Sequence, residues 1–312
     1  MAFTAPNETF AGKVFQVEAG TDKKVVFGGE SVLPFHLFEG SVPNRPVVAF
    51  EIQDVPPADW PETIRKVYEG VSGDPVTWAK HCQDKLNAKA IALRLMGTHP
   101  DRENRSPEDA AKTVKDVLAA ISVPLIILGS NHIEKDAAVL VAAAEAAKDK
   151  NCFLGKAQEE NYKTIVAACM ANNLKLIAMS QLDINLSKQL NILITQMGFN
   201  KENLVTDPMC SALGYGLDYT YSVMERIRLA ALTQNDVTMQ MPMLADVGIN
   251  SWKAKESIAT EEELPIGGVL EPRAIAWEAV TACALMMAGS ELLIMRHPEA
   301  IKATEKFIDE LM

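Results

Sequence analysis

ELLIMR, residues 291–296, decides the fold of this chain because it is the eighth in a series of short, largely apolar runs. Each run has the length of a β-strand and is apolar along its length rather than only at alternate positions. Such runs indicate strands that are buried on both faces, as in a parallel sheet. The other seven are VVAFEIQ (47–53), AIALRLM (90–96), PLIILGS (124–130), CFLGKA (152–157), LKLIAMS (174–180), NLVTDP (203–208) and MPMLADV (241–247).

Stretches with helical periodicity separate these runs, so each strand is followed by a helix. Helices are predicted over 75–87, 107–121, 134–149, 159–172, 183–198, 218–233, 272–288 and 298–311. Eight strand–helix units indicate a (β/α)₈ TIM barrel, an α/β fold of about 250 residues. A doubly wound open sheet is the alternative, but no Gly-x-Gly-x-x-Gly turn follows the first strand.

The chain divides into an N-terminal extension, residues 1–45, and a barrel, residues 46–312. Within the extension, KVFQVEAGTDKKVVFGGE (13–30) contains two β-rich runs around a Gly-Thr-Asp turn. This pattern predicts a β-hairpin, which we expect to cover the N-terminal end of the barrel.

Composition excludes several classes of partner. The 312 residues carry a formal net charge of −11, which is unfavourable for a broad contact with nucleic acid or anionic lipid. No run of eighteen apolar residues is present, and residues 1–10 lack a basic-then-apolar signal pattern. We therefore expect a cytoplasmic protein that contacts neither nucleic acid nor membrane.

The five cysteines are too dispersed to predict a metal site. No two form a C-x-x-C pair, and no short Cys/His cluster appears. Iron–sulfur clusters and structural zinc sites need such spacing. We expect reduced, buried thiols and no cluster or metal bound by this chain; the cysteines are Cys82, Cys152, Cys169, Cys210 and Cys283.

Polar side chains follow the predicted strands at the end of the barrel where such folds carry their function. They include many amides and carboxylates but no set of residues typical of a catalytic site. Phosphate would require glycine-rich turns and basic residues at the seventh and eighth strands, and only Arg296 is available there. The residues alone therefore indicate an uncharged or mildly polar ligand surface.

Long stretches of the chain closely resemble a known family. They are LPFHLFEG (33–40), NRPVVAFEIQDV (44–55), QEENYK (158–163), LDINLSKQLNILI (182–194), GYGLDYTYSVMERIRLAAL (214–232) and WEAVTACALMMAGSELLIMRHPEA (277–300). The family is the small subunit of the corrinoid/iron–sulfur protein, which is related to the archaeal acetyl-CoA decarbonylase/synthase delta subunit. The resemblance extends from about Leu33 to the C-terminus.

This resemblance implies a role in the reductive acetyl-CoA (Wood–Ljungdahl) pathway of anaerobes. Family members are barrels that pair with a large corrinoid/iron–sulfur subunit. The heterodimer accepts a methyl group on cobalt from methyltetrahydrofolate, through a methyltransferase, and delivers it to acetyl-CoA synthase/CO dehydrogenase. The string Asp-x-His-x-x-Gly, common in self-sufficient corrinoid modules, does not occur here. We therefore expect this chain to be non-catalytic alone and to cover a corrinoid that its partner holds.

The corrinoid contacts are expected at or just beyond the strand ends. There, polar side chains would hydrogen-bond the amide arms of the macrocycle. In the loop GYG (214–216), glycines permit a tight turn and tyrosine offers a flat amphipathic surface; local packing of this turn is the alternative. The expected contact residues are Asn131, His132, Gln158, Asn161, Asn185, Asp207, Tyr215 and Arg296.

Two enzyme functions stay open. Pterin-binding barrels share this architecture, so the chain could itself be a methyltransferase that binds methyltetrahydrofolate through Asp183, Asn185 and Asp207. Lys156, at a strand end, could instead form a Schiff base in an aldolase-like enzyme.

Overall fold

The eight apolar runs form the closed parallel barrel that their pattern predicts. The computed structural model describes residues 6–312. The strands are β3 (Val47–Gln53), β4 (Ala90–Arg94), β5 (Leu125–Leu128), β6 (Phe153–Ala157), β7 (Lys175–Met179), β8 (Leu204–Asp207), β9 (Met243–Asp246) and β10 (Ser290–Met295). Around the barrel their order is β10-β3-β4-β5-β6-β7-β8-β9, so the eighth unit closes the sheet against the first.

Helices surround the barrel at the predicted positions, with end points that differ by a few residues. They are α2 (Pro75–Asp84), α3 (Pro107–Ala120), α4 (Ile133–Ala146), α5 (Tyr162–Asn172), α6 (Ile184–Gln196), α7 (Leu217–Thr233), α10 (Leu270–Met287) and α11 (Pro298–Leu311). Three short helices were not predicted: α1 (Glu62–Val67), α8 (Val247–Ser251) and α9 (Lys255–Ile258). Segments this short show too few turns to reveal a helical period.

Local sequence signals set where the longer helices begin. At α3, the Ser106 hydroxyl accepts from the Asp109 amide at 3.1 Å, and the Asp109 carboxylate accepts from the Ser106 amide at 3.3 Å. This reciprocal pair is a capping box. At α6, the Asp183 side chain accepts from the Asn185 amide at 2.7 Å. Both caps satisfy amides that the first helical turn leaves without partners.

The N-terminal hairpin lies against the N-terminal ends of the barrel strands. β1 (Gln16–Ala19) and β2 (Val25–Gly28) pair antiparallel, which confirms the predicted hairpin. Val17 and Phe27 are buried in one apolar cluster with inward-facing barrel residues. The Phe27 ring centroid lies 5.9 Å from that of Phe153 in β6. The turn is fixed by hydrogen bonds from the Gly20 amide to the Asn151 carbonyl and from the Lys23 amide to the Ser122 carbonyl, both 3.0 Å.

Across residues 6–312, no helix has both the length and the apolar character needed to cross a membrane.

Four cysteines are buried and Cys283 is half-buried, and none forms a disulfide within residues 6–312. Burial raises the pKa of the Cys82 and Cys152 thiols to about 12, which keeps them in the unreactive protonated form at neutral pH.

Candidate functional site

A cluster of buried charged side chains fills the C-terminal end of the barrel, and we call it the mouth network. Three of its members are cations and three are carboxylates, so their formal charges balance. Charges this deeply buried persist only when they are paired. Five members are buried, namely Glu51 of β3, Arg94 of β4, Asp207 of β8, Asp246 of β9 and Arg296, which follows β10; the sixth is Lys156 of β6, whose side chain is 9% exposed.

Glu51 is the acceptor for both arginines of the network. Arg94 Nε lies 3.0 Å from Glu51 Oε1, and Arg94 Nη2 reaches Asp246 Oδ2 at 2.7 Å. Arg296 pairs with Glu51 through two contacts, Nε to Oε2 at 3.1 Å and Nη2 to Oε1 at 2.9 Å. Burial alone would raise the pKa of Glu51, but attraction to Arg296 and Arg94 outweighs it, so the pKa lies below its ordinary value. Glu51 is therefore ionised at neutral pH.

Lys156 bridges the two remaining carboxylates. Its Nζ lies 2.7 Å from Asp207 Oδ2 and 2.7 Å from Asp246 Oδ2. Burial alone would lower the pKa of Lys156, but Asp207 and Asp246 outweigh it and raise the pKa above its ordinary value. A lysine that forms a Schiff base needs a neutral amine, which requires the opposite shift. The geometry therefore opposes the aldolase-like function considered for Lys156.

Arg296 is also held by groups behind the network. Its guanidinium carbon lies 4.6 Å from the Trp60 ring centroid. The Tyr68 hydroxyl donates to the backbone carbonyl of Arg296 at 2.6 Å, and the backbone amide of Arg296 donates to Glu278 Oε1 at 2.7 Å. Burial raises the pKa of Glu278 to about 7. Contacts to both the side chain and the backbone fix the position of this arginine.

A cavity of about 390 Å³ lies at the network and is bordered by residues at or just beyond the C-terminal ends of β3, β4, β5, β9 and β10. Its lining includes Gln53, Arg94, Asn131, Lys253 and Arg296. Two buried atoms of this lining, Gln53 Oε1 and Arg94 Nη1, have no hydrogen-bond partner within residues 6–312. One is an acceptor and the other a donor. A buried polar atom in this state is costly, and a bound group can remove the cost.

Of the residues predicted from the sequence, Asn131 and Arg296 meet at this cavity. Asn131 is exposed, and its amide donates to Asp136 Oδ2 at 2.9 Å. His132 caps α4 by accepting from the Lys135 amide at 3.3 Å. The His132 ring centroid lies 5.6 Å from that of His99, which lines the cavity.

Four other predicted residues lie elsewhere or are already engaged. Gln158 lines a separate cavity of about 110 Å³. The side chain of Asn161 is engaged by Gln158, whose backbone amide donates to Asn161 Oδ1 at 2.8 Å. Asn185 is exposed in the first turn of α6. Asp207 is fully buried against Lys156. Because it is so deeply buried, Asp207 cannot contact a large macrocycle at the surface. It was selected from the sequence because a strand-end position does not reveal whether the side chain points into the barrel.

Tyr215 lies in a loop that bends towards α9. Gly214 and Gly216 adopt φ values of 77° and 91°, which explains the two glycines. The Tyr215 hydroxyl donates to Glu256 Oε2 at 2.9 Å and accepts from the Lys255 amide at 3.0 Å. The ring is still 44% exposed. Tyr215 does not line the mouth cavity, so the loop is fixed locally and presents one aromatic face outward.

Comparison with known proteins agrees with this architecture. A family model described as CO dehydrogenase/acetyl-CoA synthase delta subunit matches residues 12–305. The chain belongs to this delta-subunit family. The acetyl-CoA decarbonylase/synthase complex subunit delta of Methanothermobacter thermautotrophicus is 36% identical over 303 residues, covering 96% of this chain and 76% of that protein. The same subunit of Methanocaldococcus jannaschii is 35% identical over 309 residues, with coverage of 96% and 75%.

Solved structures with a similar fold include dihydropteroate synthases. The Coxiella burnetii enzyme, in complex with pteroic acid, superposes with a TM-score of 0.57 at 12% identity and covers 96% of this chain and 98% of its own. The Xanthomonas albilineans enzyme with 4-aminobenzoic acid gives 0.56 at 14% identity, covering 85% and 92%. At such low identity the likeness shows the TIM-barrel fold alone, which the delta-subunit chain shares.

Arg94 and Gln53 line the mouth cavity of this delta-subunit chain but are not among the contact residues expected from the sequence. A usable signal was present, because Arg94 interrupts the apolar run AIALRLM and Glu51 interrupts VVAFEIQ. A charge inside a strand buried on both faces requires a buried partner. When two adjacent strands are interrupted in this way by charges of opposite sign, the sequence predicts an ion pair at the barrel centre.

Proposed function

We propose that this chain is the small subunit of a heterodimeric corrinoid/iron–sulfur methyl carrier in the acetyl-CoA decarbonylase/synthase system. In this role its barrel mouth covers the corrinoid held by the large subunit. Methyl groups would pass from methyltetrahydrofolate, through a methyltransferase, to the corrinoid and on to acetyl-CoA synthase. Membership in the delta-subunit family supports this assignment.

The observation that carries the proposal is that two residues lining the mouth cavity each hold a buried polar atom without a partner within residues 6–312. Arg94 Nη1 is a donor and Gln53 Oε1 is an acceptor. A primary amide supplies the complementary carbonyl oxygen and N–H group. The rim of a corrin ring carries several primary amide arms. The residues present therefore fit the edge of a corrinoid better than they fit a phosphate, which offers acceptors only.

Cavity size supports a cover rather than an enclosing site. Pockets that enclose a drug-sized ligand measure about 300–1,000 Å³, and a corrinoid is much larger than such a ligand. The mouth cavity, about 390 Å³, accommodates an amide arm while the macrocycle lies across the opening. The bound corrinoid supplies the cobalt that carries the methyl group.

The chain's own residues position and shield rather than react. Every cation of the mouth network is paired with a carboxylate, and the pKa shifts of Glu51 and Lys156 stabilise their charged forms. Groups held in this way neither donate nor accept protons readily near pH 7. The network instead fixes Arg94 and Arg296 so that their positions do not depend on the ligand.

The methyltransferase alternative needs Asp183, Asn185 and Asp207 to converge on a pterin. In the structure Asp183 caps α6, Asn185 is exposed and Asp207 is buried against Lys156. These positions favour the cover function. Titration of the isolated chain with methyltetrahydrofolate separates the two, because only a methyltransferase would bind it tightly.

We expect Gln53→Leu to weaken binding of the corrinoid-loaded large subunit by about fivefold, since one hydrogen bond contributes about 1 kcal/mol. Stability of the isolated chain should stay equal or rise, because the substitution removes a buried acceptor without a partner. Titration calorimetry under anaerobic conditions measures two dissociation constants, one with the corrinoid-loaded partner and one with the corrinoid-free partner.

Gln181→Leu is the matched control, since Gln181 also follows a strand but is exposed and lines the smaller cavity. It should leave both dissociation constants unchanged. If Gln53→Leu bound the corrinoid-loaded partner as tightly as the unmodified chain, the amide-arm contact would be wrong.

A further inference from the structure

A second cluster of buried charges lies at the N-terminal end of the barrel, away from the mouth network. It contains two carboxyl groups and one cation: Glu30, which follows β2, Glu291 near the start of β10, and Arg228 of α7. All three line one cavity of about 20 Å³, which has room for one water molecule. We call these three residues the base cluster.

The hydrogen bonds of the base cluster are unevenly shared. Arg228 Nη2 pairs with Glu291 Oε1 and donates to the Gly289 carbonyl at 2.7 Å. Glu291 Oε2 accepts from the Met243 amide at 2.7 Å. Glu30 Oε2 is buried without a hydrogen-bond partner within residues 6–312, and so is Arg228 Nη1. A buried carboxylate oxygen that lacks a donor is costly.

The charges of the base cluster do not balance when both carboxyl groups are ionised. The mouth network pairs three cations with three carboxylates, whereas one arginine here faces two glutamates. Lys13 also attracts Glu30, but it is exposed to solvent. Within residues 6–312 the rest of the cavity lining is uncharged and consists of Val32, Pro34, Phe35, Val42, Pro46, Met286, Gly289 and Ser290. Two carboxyl groups that share a buried site with one cation are expected to retain a proton.

The environment of the two carboxyl groups agrees with this expectation. Burial raises the pKa of Glu291 to about 8; Arg228 opposes the shift and Glu30 adds to it. Burial also raises the pKa of Glu30. Glu30 and Glu291 lie within hydrogen-bonding reach of each other, and a bond between two carboxyl groups requires a proton on one of them. The pair therefore holds one proton at pH 7.

Glu30 belongs to the segment that leads from the hairpin to the barrel, residues 29–46, which we call the strap. The Glu30 carbonyl accepts from the Val14 amide at 2.9 Å, and the Ser31 amide donates to the Ser41 carbonyl at 3.0 Å. The other two members of the base cluster belong to the barrel itself. The cluster thus joins the strap to the barrel through one buried polar contact.

We propose that Glu30, Glu291 and Arg228 form a proton-sensitive latch that holds the strap on the base of the barrel. With one proton on the carboxyl pair, the base cluster is neutral and the strap stays seated. Without that proton, two carboxylates repel each other across the contact. Opening of the strap moves Glu30 into water, where both carboxyl groups ionise, so opening releases a proton. Alkaline pH therefore favours the open strap.

Hydrogen–deuterium exchange of the Val14 and Ser31 amides in the full chain tests the latch. Both amides are hydrogen-bonded while the strap is seated. After correction for the intrinsic pH dependence of exchange, we expect the opening constant to rise by about tenfold for each pH unit between pH 6 and 8, the slope for one released proton. The constant should level off above the pKa of Glu291, about 8, because the closed strap has then lost the proton as well.

Glu30→Gln keeps the shape of the side chain but removes the group that shares the proton. Its opening constant should vary by less than about twofold between pH 6 and 9 once the titrating pair is gone. Glu291→Gln should remove the slope in the same way, so a folding defect in one variant leaves the other as a test. Glu18→Gln is the matched control, since Glu18 is exposed in the hairpin and pairs with Lys24 at 2.8 Å. It should keep the slope of the unmodified chain.

A constant that stays flat or falls with rising pH in the unmodified chain would overturn the latch. A slope that persists in either glutamine variant would overturn it as well. The response would then come from another group on the strap, such as His36, which pairs with Glu39 at 3.0 Å and belongs to the residue type that titrates near neutral pH.

Discussion

Replacing Glu51 by alanine is expected to lower the free energy of unfolding by about 3–5 kcal/mol, the cost of removing one partner of a buried ion pair. Glu51 accepts from both Arg94 and Arg296, and all three side chains are buried. Without it, two buried guanidinium groups keep their charge, and Arg296 loses the carboxylate with which it pairs. Urea unfolding followed by circular dichroism measures the difference.

Glu310→Ala provides the comparison, because it removes a carboxylate from an exposed ion pair with Lys306. It should cost less than about 1 kcal/mol. The effect of Glu51→Ala should also depend on pH. Since the folded-state pKa of Glu51 lies below its ordinary value, its contribution is complete at neutral pH and is lost as the pH falls through that lowered pKa. Equal costs for the two variants at pH 7 would show that the mouth network does not stabilise the barrel.

Phe27→Ala should have a comparable effect, a loss of about 3–5 kcal/mol, because it removes a large buried ring from the N-terminal end of the barrel. Phe27 packs against Phe153 and the inward-facing barrel residues, and it is fully buried. The substitution leaves a cavity that the strands cannot close without breaking their pairing. The same urea unfolding experiment measures it.

Phe38→Ala is the control for this second variant, since it deletes the same atoms from a ring that is 69% exposed. It should change the free energy of unfolding by about 0.5 kcal/mol or less. A Phe27→Ala protein as stable as the unmodified chain would mean that the hairpin only rests on the barrel. In that case residues 13–30 would be dispensable for the fold.

The barrel could be predicted from the sequence because each strand is a largely apolar run and stretches of helical period separate these runs. Val47–Gln53 forms over the predicted range, and the helices predicted to begin at 107 and 183 begin at Pro107 and Ile184. These signals are local, so they survive in a single sequence. Short helices such as Val247–Ser251 carry no such signal and were missed.

The candidate site was harder to predict because it depends on which side chains point into the barrel and meet there. Asn131 and Arg296 were found by their strand-end position, and both line the mouth cavity. The same reasoning selected Asn185, which faces outward, and Asp207, which is buried beneath Lys156. The partners of Arg94 come from strands that are far apart in the sequence, and only the closed barrel brings them together.

Hydrogen–deuterium exchange of this chain within the heterodimer tests whether the barrel mouth covers the corrinoid, because it reports which backbone amides the corrinoid protects. The large subunit is supplied with and without its corrinoid, so that subunit contacts are common to both samples. We expect slower exchange around Met96–Thr98 and residues 129–132 only when the corrinoid is present, with no change in the hairpin at Gln16–Gly28. Equal exchange at the mouth in both samples would contradict the claim that the mouth covers the corrinoid.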